Sequence, residues 1–191
     1  MFSKVSPELK NAVLQLPEKE KDKLLLRLIR KDRTLIQQLH FQLLEDQLDL
    51  EERRERTLKL VNLEINKVER QLGVHKYYNP RDLLLDLRSM SGIVNQHFLI
   101  TKDKLGEVEL RLHILSLTFH HAEKFFQYAN HANEKLLAYI IGRIKNVFNS
   151  YDKLHEDLQY DYTEKLNEVL EFAYSSALKN YLLDLAIPQE V

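Results

Sequence analysis

The chain has no cysteine, and only four glycines and four prolines among its 191 residues. Without cysteine there is no disulfide framework, no thiolate metal site and no cysteine nucleophile, a composition that suits a reducing compartment. Sheets and long loops draw on glycine and proline for their turns, so their scarcity favours helices. No uninterrupted apolar run approaches the length of a membrane span. The opening Met1-Phe2-Ser3-Lys4-Val5 lacks the apolar core of a secretory signal, and Pro7 with Glu8 follows too soon. A cytoplasmic protein without a membrane span is the expectation. A net charge of −1 gives no global attraction to nucleic acid. Also absent are a Gly-rich phosphate loop, a Gly-x-Ser-x-Gly elbow and a His-Glu-x-x-His pair, so no cofactor is expected.

What is present is helical periodicity. Val108, Leu112, Leu115, Phe119, Ala122, Phe126 and Ala129 recur at steps of four and three, the seam of an amphipathic helix. A second seam lies beside it: Leu110, Ile114, Leu117, His121, Phe125 and Tyr128. One apolar stripe lets a helix lie on a core, whereas two let it be clasped from both sides. The spacing therefore predicts a central helix over 104–130, roughly 40 Å long at 1.5 Å per residue.

Around it the sequence places further helices. Ser6-Pro7-Glu8 reads as an N-cap with proline at the first helical position, and Pro17 opens a second helix. Asp32 caps a third, and Asp49 with Glu52 has the form of a capping box for a fourth that ends at Gly73. Whether 33–72 forms one rod or two is open. Val74–Asn79 reads as a loop turning near Lys76, and Asn79-Pro80 caps a fifth helix. Beyond Asn130–Asn133 come a seventh helix and a last one running to Leu185. The expected architecture is all-α: a single domain over 1–191, built as a bundle of seven or eight mostly antiparallel helices. Residues 1–46 form a small N-terminal helical cap. A short α-solenoid is the alternative, but no signature recurs at a fixed period.

Charge is unevenly spread. Lys19–Arg33 is mostly basic, and Lys23, Arg27, Arg30 and Lys31 form a stripe that can meet phosphates or a protein partner. No aromatic residue interleaves it, so base stacking is not indicated. The segment after Phe148 is acidic and rich in tyrosine. Pairing between these ends, or between each end and a partner, is expected.

Two groups carry potential metal chemistry. The polar face of the central helix holds Glu109, His113, His120 and Glu123, with the two histidines about 10 Å apart. Paired-metal bundles use Glu-x-x-His on facing helices, and here only the reversed His120-x-x-Glu123 occurs. The second group is Glu51-Glu52-Arg53-Arg54-Glu55. It resembles the Glu-Glu-x-x-Glu element of the all-helical, magnesium-dependent nucleotide pyrophosphatases of the MazG type. That resemblance implies a Glu-x-x-Asp pair on the following helix, where this chain has Asp82 and Asp86, four apart with no leading Glu. A hairpin turning near Lys76 would set Asp82 opposite Arg70 and Glu55 opposite His97. The acidic groups would then lie about 40 Å apart, too far for one ion. A charged, solvated first turn is the expected role.

With strong seams, polarised charge and no complete catalytic set, the sequence points to a non-enzymatic helical interaction protein. It would act on a protein partner or on itself. A metal-dependent helical-bundle enzyme using the histidine face is one alternative, and a nucleic-acid-associated helical protein is the other.

Overall fold

The computed structural model describes residues 5–74 and 77–191, and its described elements are all helical. In order they are α1 (Pro7–Gln15), α2 (Glu18–Ile29), α3 (Arg33–Leu44), α4 (Gln47–Val74), α5 (Pro80–Thr101) and α6 (Lys104–Ala122). A 3₁₀ turn (Glu123–Phe125) follows, then α7 (Glu134–Tyr151), α8 (Glu156–Ser175) and α9 (Lys179–Asp184). No described helix is long and apolar enough to cross a membrane. The chain divides into two compact units, Met1–Asp46 and Gln47–Val191.

In the N-terminal unit the helix starts follow local chemistry. The Ser6 hydroxyl accepts from the Leu9 N–H, with Pro7 in the first turn of α1. The Asp32 carboxylate accepts from the N–H groups of Thr34 and Leu35 and fixes the start of α3. Helices α2 and α3 touch each other, and Leu24, Ile29, Leu35 and Leu39 are half-buried. No described residue of this unit is buried.

The C-terminal unit is built differently. Helix α6 is packed by α4, α5, α7 and α8, and it buries Val108, Leu110, Leu112, Ile114, Leu115, Phe119 and Ala122. The doubly apolar sequence thus becomes a helix clasped from several sides. Helices α4 and α5 form an antiparallel hairpin in which Lys67 meets Asp86 at 3.6 Å and Thr57 meets His97 at 3.2 Å. That register lies within two residues of the one expected. Asn79 caps α5 with a full capping box, its side chain accepting from Asp82 N–H while Asp82 accepts from Asn79 N–H. The carboxylate of Asp103 caps α6 by accepting from Gly106 N–H at 2.9 Å.

The open question of one rod or two over 33–72 resolves to two helices, broken at Glu45–Asp46. Other boundaries differ from the expectation. Helix α4 starts at Gln47, ahead of the Asp49–Glu52 pair, and runs through Gly73 to Val74. Of the expected loop, His75 and Lys76 lie outside the described residues. The central helix ends at Ala122 instead of 130. Asn133 is the cause: its amide donates at 2.8 Å to the carbonyls of both Phe125 and Tyr128, and its oxygen accepts from Asn130 N–H. The chain folds into turns there, which drives Phe126 into the core edge-on against the stacked rings of Phe119 and Phe172. Tyr128 and Ala129, which continued the seams on paper, are exposed. The last helix is also interrupted. Ala177 N–H donates to Phe126 C=O at 2.8 Å and turns the chain between α8 and α9. Beyond α9, Tyr174 Oη donates to Ile187 C=O, and Asn167 makes two bonds with Val191.

Candidate functional site

The four expected metal ligands, three on α6 and Glu123 just past its end, fall into two adjoining clefts. Glu109 and His113 line one of about 290 Å³ with Leu58, Leu112, Ser116, Lys165 and Glu168. His120 and Glu123 line another of about 280 Å³ with Phe119, Val169 and Phe172. Ser116 and Glu168 border both. Glu123 belongs to the 3₁₀ turn, so the helical spacing that aligned it with His120 no longer applies. His113 Nε2 lies 2.6 Å from Asn62 Oδ1, a bond in which the imidazole donates. Burial, then the nearby Lys165 ammonium, holds His113 below the ordinary histidine value against the pull of Glu109. Burial and the Glu109 carboxylate push the neighbouring Tyr162 hydroxyl up to about 12. Among the described residues no three His, Asp or Glu side chains are grouped to hold a metal ion.

The basic stripe lies at the surface of the N-terminal unit. Lys23, Arg27, Arg30 and Lys31 are all exposed. Lys23 and Arg27 lie on α2 and Arg30 caps its C-terminus. Lys31 lies in the following turn, its N–H bonded to Leu28 C=O.

The charged turn at 51–55 is mostly a solvated face. Glu52 pairs with Arg56 at 2.7 Å and Glu55 with Lys59 at 3.6 Å, both four residues along α4. Asp82 is occupied in the α5 cap, and Asp86 accepts from Tyr78 Oη at 2.7 Å. Burial first, and then Asp86, raises the Tyr78 hydroxyl.

Arg54 departs from that face, and it anchors the most connected polar cluster of the unit. Its Nε donates to Asp103 Oδ2 at 3.0 Å and its Nη2 to Oδ1 at 3.1 Å. His97 bridges this pair to α4: Nε2 lies 3.3 Å from Asp103 Oδ2 and Nδ1 lies 3.2 Å from Thr57 Oγ1. The Thr57 hydroxyl donates to Arg53 C=O, and Nε2 of His97 is the ring nitrogen that donates to the carboxylate. Thr101 Oγ1 accepts from Asp103 N–H and donates to His97 C=O. Burial alone would raise the Asp103 carboxyl; the bonds from His97, Arg54 and Gly106 N–H outweigh it and hold the group at about 2. A methyl group on Gly106 would collide with the Asp103 carboxylate and stand 2.7 Å from Arg54 Nε. Glycine is required there by the close approach of these side chains.

Beside this cluster a groove of about 500 Å³ opens between α4 and α5, with Leu60, Gly92, Ile93 and Ile100 on its apolar part and Arg53, Arg56 and Gln96 at its polar part. His97 and Thr57 border it, but their hydrogen-bonding atoms are engaged inside the cluster. The arrangement offers no free base and no activated hydroxyl. Its chemistry is structural: three helices are tied together through one carboxylate. Helix spacing alone could not reveal this, because Arg54 and Asp103 are 49 residues apart. The one local signal that could have pointed to it is Asp103, a capping residue three before Gly106. Comparison with known proteins returns nothing to set beside this geometry: no family model, no curated protein and no solved structure matches the chain.

Proposed function

We propose that this chain is a non-enzymatic helical interaction protein that engages a protein partner, or another copy of itself, through its N-terminal unit. One observation carries the reading. Among residues 5–46 none is buried, while Leu9, Leu14, Leu25, Leu26, Leu28, Leu43 and Leu44 are each at least half exposed. A unit with that much uncovered apolar surface stabilises itself poorly and gains by docking. Helix α2 carries exposed Leu25, Leu26 and Leu28 on one side and exposed Lys23 and Arg27 on another, with Arg30 at its C-cap, apolar and basic surface that fits an acidic, amphipathic protein partner. A cytoplasmic place of action belongs to the same proposal and rests on the lack of cysteine.

The test compares the wild-type chain with Leu25→Glu/Leu28→Glu, substitutions at exposed positions that leave the C-terminal core untouched. Sedimentation equilibrium reports self-association, and affinity capture from nuclease-treated lysate reports a partner. Loss of either complex in the double variant is the expected result. A monomeric wild-type chain whose captured proteins are the same with and without the substitutions would sink the proposal.

A further inference from the structure

We infer that the C-terminal unit carries a second, independent interaction surface, a basic face on α5 and α7 that receives the acidic outer ridge of α8 from another copy. The inference goes beyond the reading of the N-terminal unit and does not depend on it.

The basic face is organised by Tyr139 on α7. Its hydroxyl lies 2.7 Å from Ser91 Oγ and donates to Leu87 C=O at 3.3 Å, both on α5. Arg88 of α5 and Arg143 of α7 place their Cζ atoms 5.9 and 5.0 Å from its ring centroid, within cation–π range. The aromatic ring thus holds two guanidinium groups in place. Neither has a carboxylate partner among the described residues, and the buried Nε of Arg143 has no acceptor there. Lys135, Tyr139 and Arg143 follow each other at steps of four, and Arg81 precedes Arg88 by seven. Those spacings put Lys135 and Arg81 on the same faces. The nearby carboxylates are used elsewhere. Glu107 neutralises Arg111 at 2.8 Å, Asp82 and Asp86 serve the α5 cap and Lys67, and Glu134 meets His131 at 3.6 Å.

The complementary surface is on the same molecule. Asp157, Asp161, Glu164, Glu168 and Glu171 recur at steps of four and three along α8 and are all exposed. They lie opposite the stripe that buries Leu166, Val169, Leu170 and Ala173. Of the five, only Asp157 has an ion-pair partner among the described residues, His155 at 3.3 Å. Carboxylates seven residues apart on a helix stand about 10.5 Å from each other. The two Tyr139 contacts keep Arg88 and Arg143 within about 11 Å of each other, inside the range covered by ridge carboxylates four to seven residues apart, about 6 to 10.5 Å. Guanidinium groups bind carboxylates through paired hydrogen bonds. Two guanidinium groups already lie over the Tyr139 ring, which crowds it as a platform for base stacking and favours an acidic helix over nucleic acid. Two different patches on one chain make a head-to-tail contact, which propagates into a ring or an open chain of copies.

The experiment is sedimentation velocity on the 191-residue chain at about 50 mM and about 500 mM salt, a range over which exposed charge pairs become strongly screened. Association at low salt that falls at least tenfold in affinity at high salt is expected. Arg88→Gln/Arg143→Gln and Glu164→Gln/Glu168→Gln should each abolish it with unchanged helical circular dichroism. Mixed together, the two variants should form a 1:1 pair and nothing larger, because only one ridge and one basic face remain. The second variant alters exposed positions only and keeps the test meaningful if Arg143 proves necessary for folding. Association through the N-terminal unit would persist in Arg88→Gln/Arg143→Gln and be lost in Leu25→Glu/Leu28→Glu, so the two proposals fail separately. A wild-type chain that stays monomeric at low salt would overturn the inference. So would a basic face that binds a short DNA duplex while no copies associate.

Discussion

Residues 5–46 and residues 47–191 are both helical and rich in leucine, yet they treat that leucine in opposite ways. In the C-terminal unit Leu83, Leu87, Leu110, Leu115, Leu136 and Leu166 are at most 2% exposed. In the N-terminal unit Leu43 and Leu44 are more than 70% exposed. Both units have amphipathic periodicity. The difference is the number of neighbours: α6 is enclosed by four helices, whereas α2 and α3 chiefly have each other. Amphipathic pattern therefore specifies a helix and the side on which it can dock, and it leaves open whether the docking surface is supplied by the same chain.

The contrast can be broken most severely in the core. Phe126→Ala is expected to lose about 3–5 kcal/mol, since a fully buried ring is replaced by a cavity against Phe119 and Phe172. Leu28→Ala, at a position 50% exposed, should change stability by less than about 0.5 kcal/mol. Urea unfolding followed by circular dichroism measures both, and equal losses would refute the contrast. Next comes Asp103→Asn, which takes from the partly buried Arg54 cation its bidentate carboxylate and leaves only the longer 3.8 Å contact with Glu109; it should cost about 3 kcal/mol.

The same carboxylate predicts a pH dependence. Its folded-state value, about 2, lies below that of an unfolded aspartate, so its contribution is present above pH 4 and is lost as pH falls toward 2. Unfolding free energy should drop by about 2 kcal/mol over that window in the wild type and stay flatter in the Asn variant. Parallel curves for the two proteins would contradict the assignment.

A pair of glycines sharpens the comparison at smaller scale. Gly106→Ala forces a methyl group into the Arg54–Asp103 contact and should destabilise by about 1–3 kcal/mol. Gly92→Ala adds a methyl group that meets nothing within 4 Å, so helix propensity should stabilise the fold by about 0.5–1 kcal/mol. Differential scanning calorimetry should show melting temperatures moving in opposite directions. The smallest expected change is that of Arg56→Ala. It removes an exposed pair with Glu52, worth no more than about 0.5 kcal/mol, and a larger loss in the same scan would give that face a structural role.

The sequence was most informative where one residue acts on its own backbone. Ser6, Asp32 and Asn79 were legible as caps because a short polar side chain reaches only two or three residues ahead. Buried seams were legible as far as the helices that carry them continue. The end of α6 was not, because Phe126, Tyr128 and Ala129 keep the spacing while Asn133, beyond the seam, breaks the helix. The polar site shows the same limit. Glu109, His113, His120 and Glu123 share one face on paper, but the end of α6 and the packing of α8 divide them between two clefts. Arg54, hidden in a run of charges, found its role through residues 43 and 49 positions away, and no local pattern encodes such a meeting.

The tie between Arg54, His97, Thr57 and Asp103 also bears on how α4 and α5 choose their alignment. Val61, Ile65 and Val68 would still find apolar company if α4 slid by one turn along α5, since oily side chains are poor judges of position. A carboxylate with four donors around it is not so forgiving. Sliding would strand Asp103 and His97 in a dry interior, where an unmet polar group costs more than a misplaced leucine. Those few atoms work as an index mark, telling two otherwise interchangeable helices where to stop.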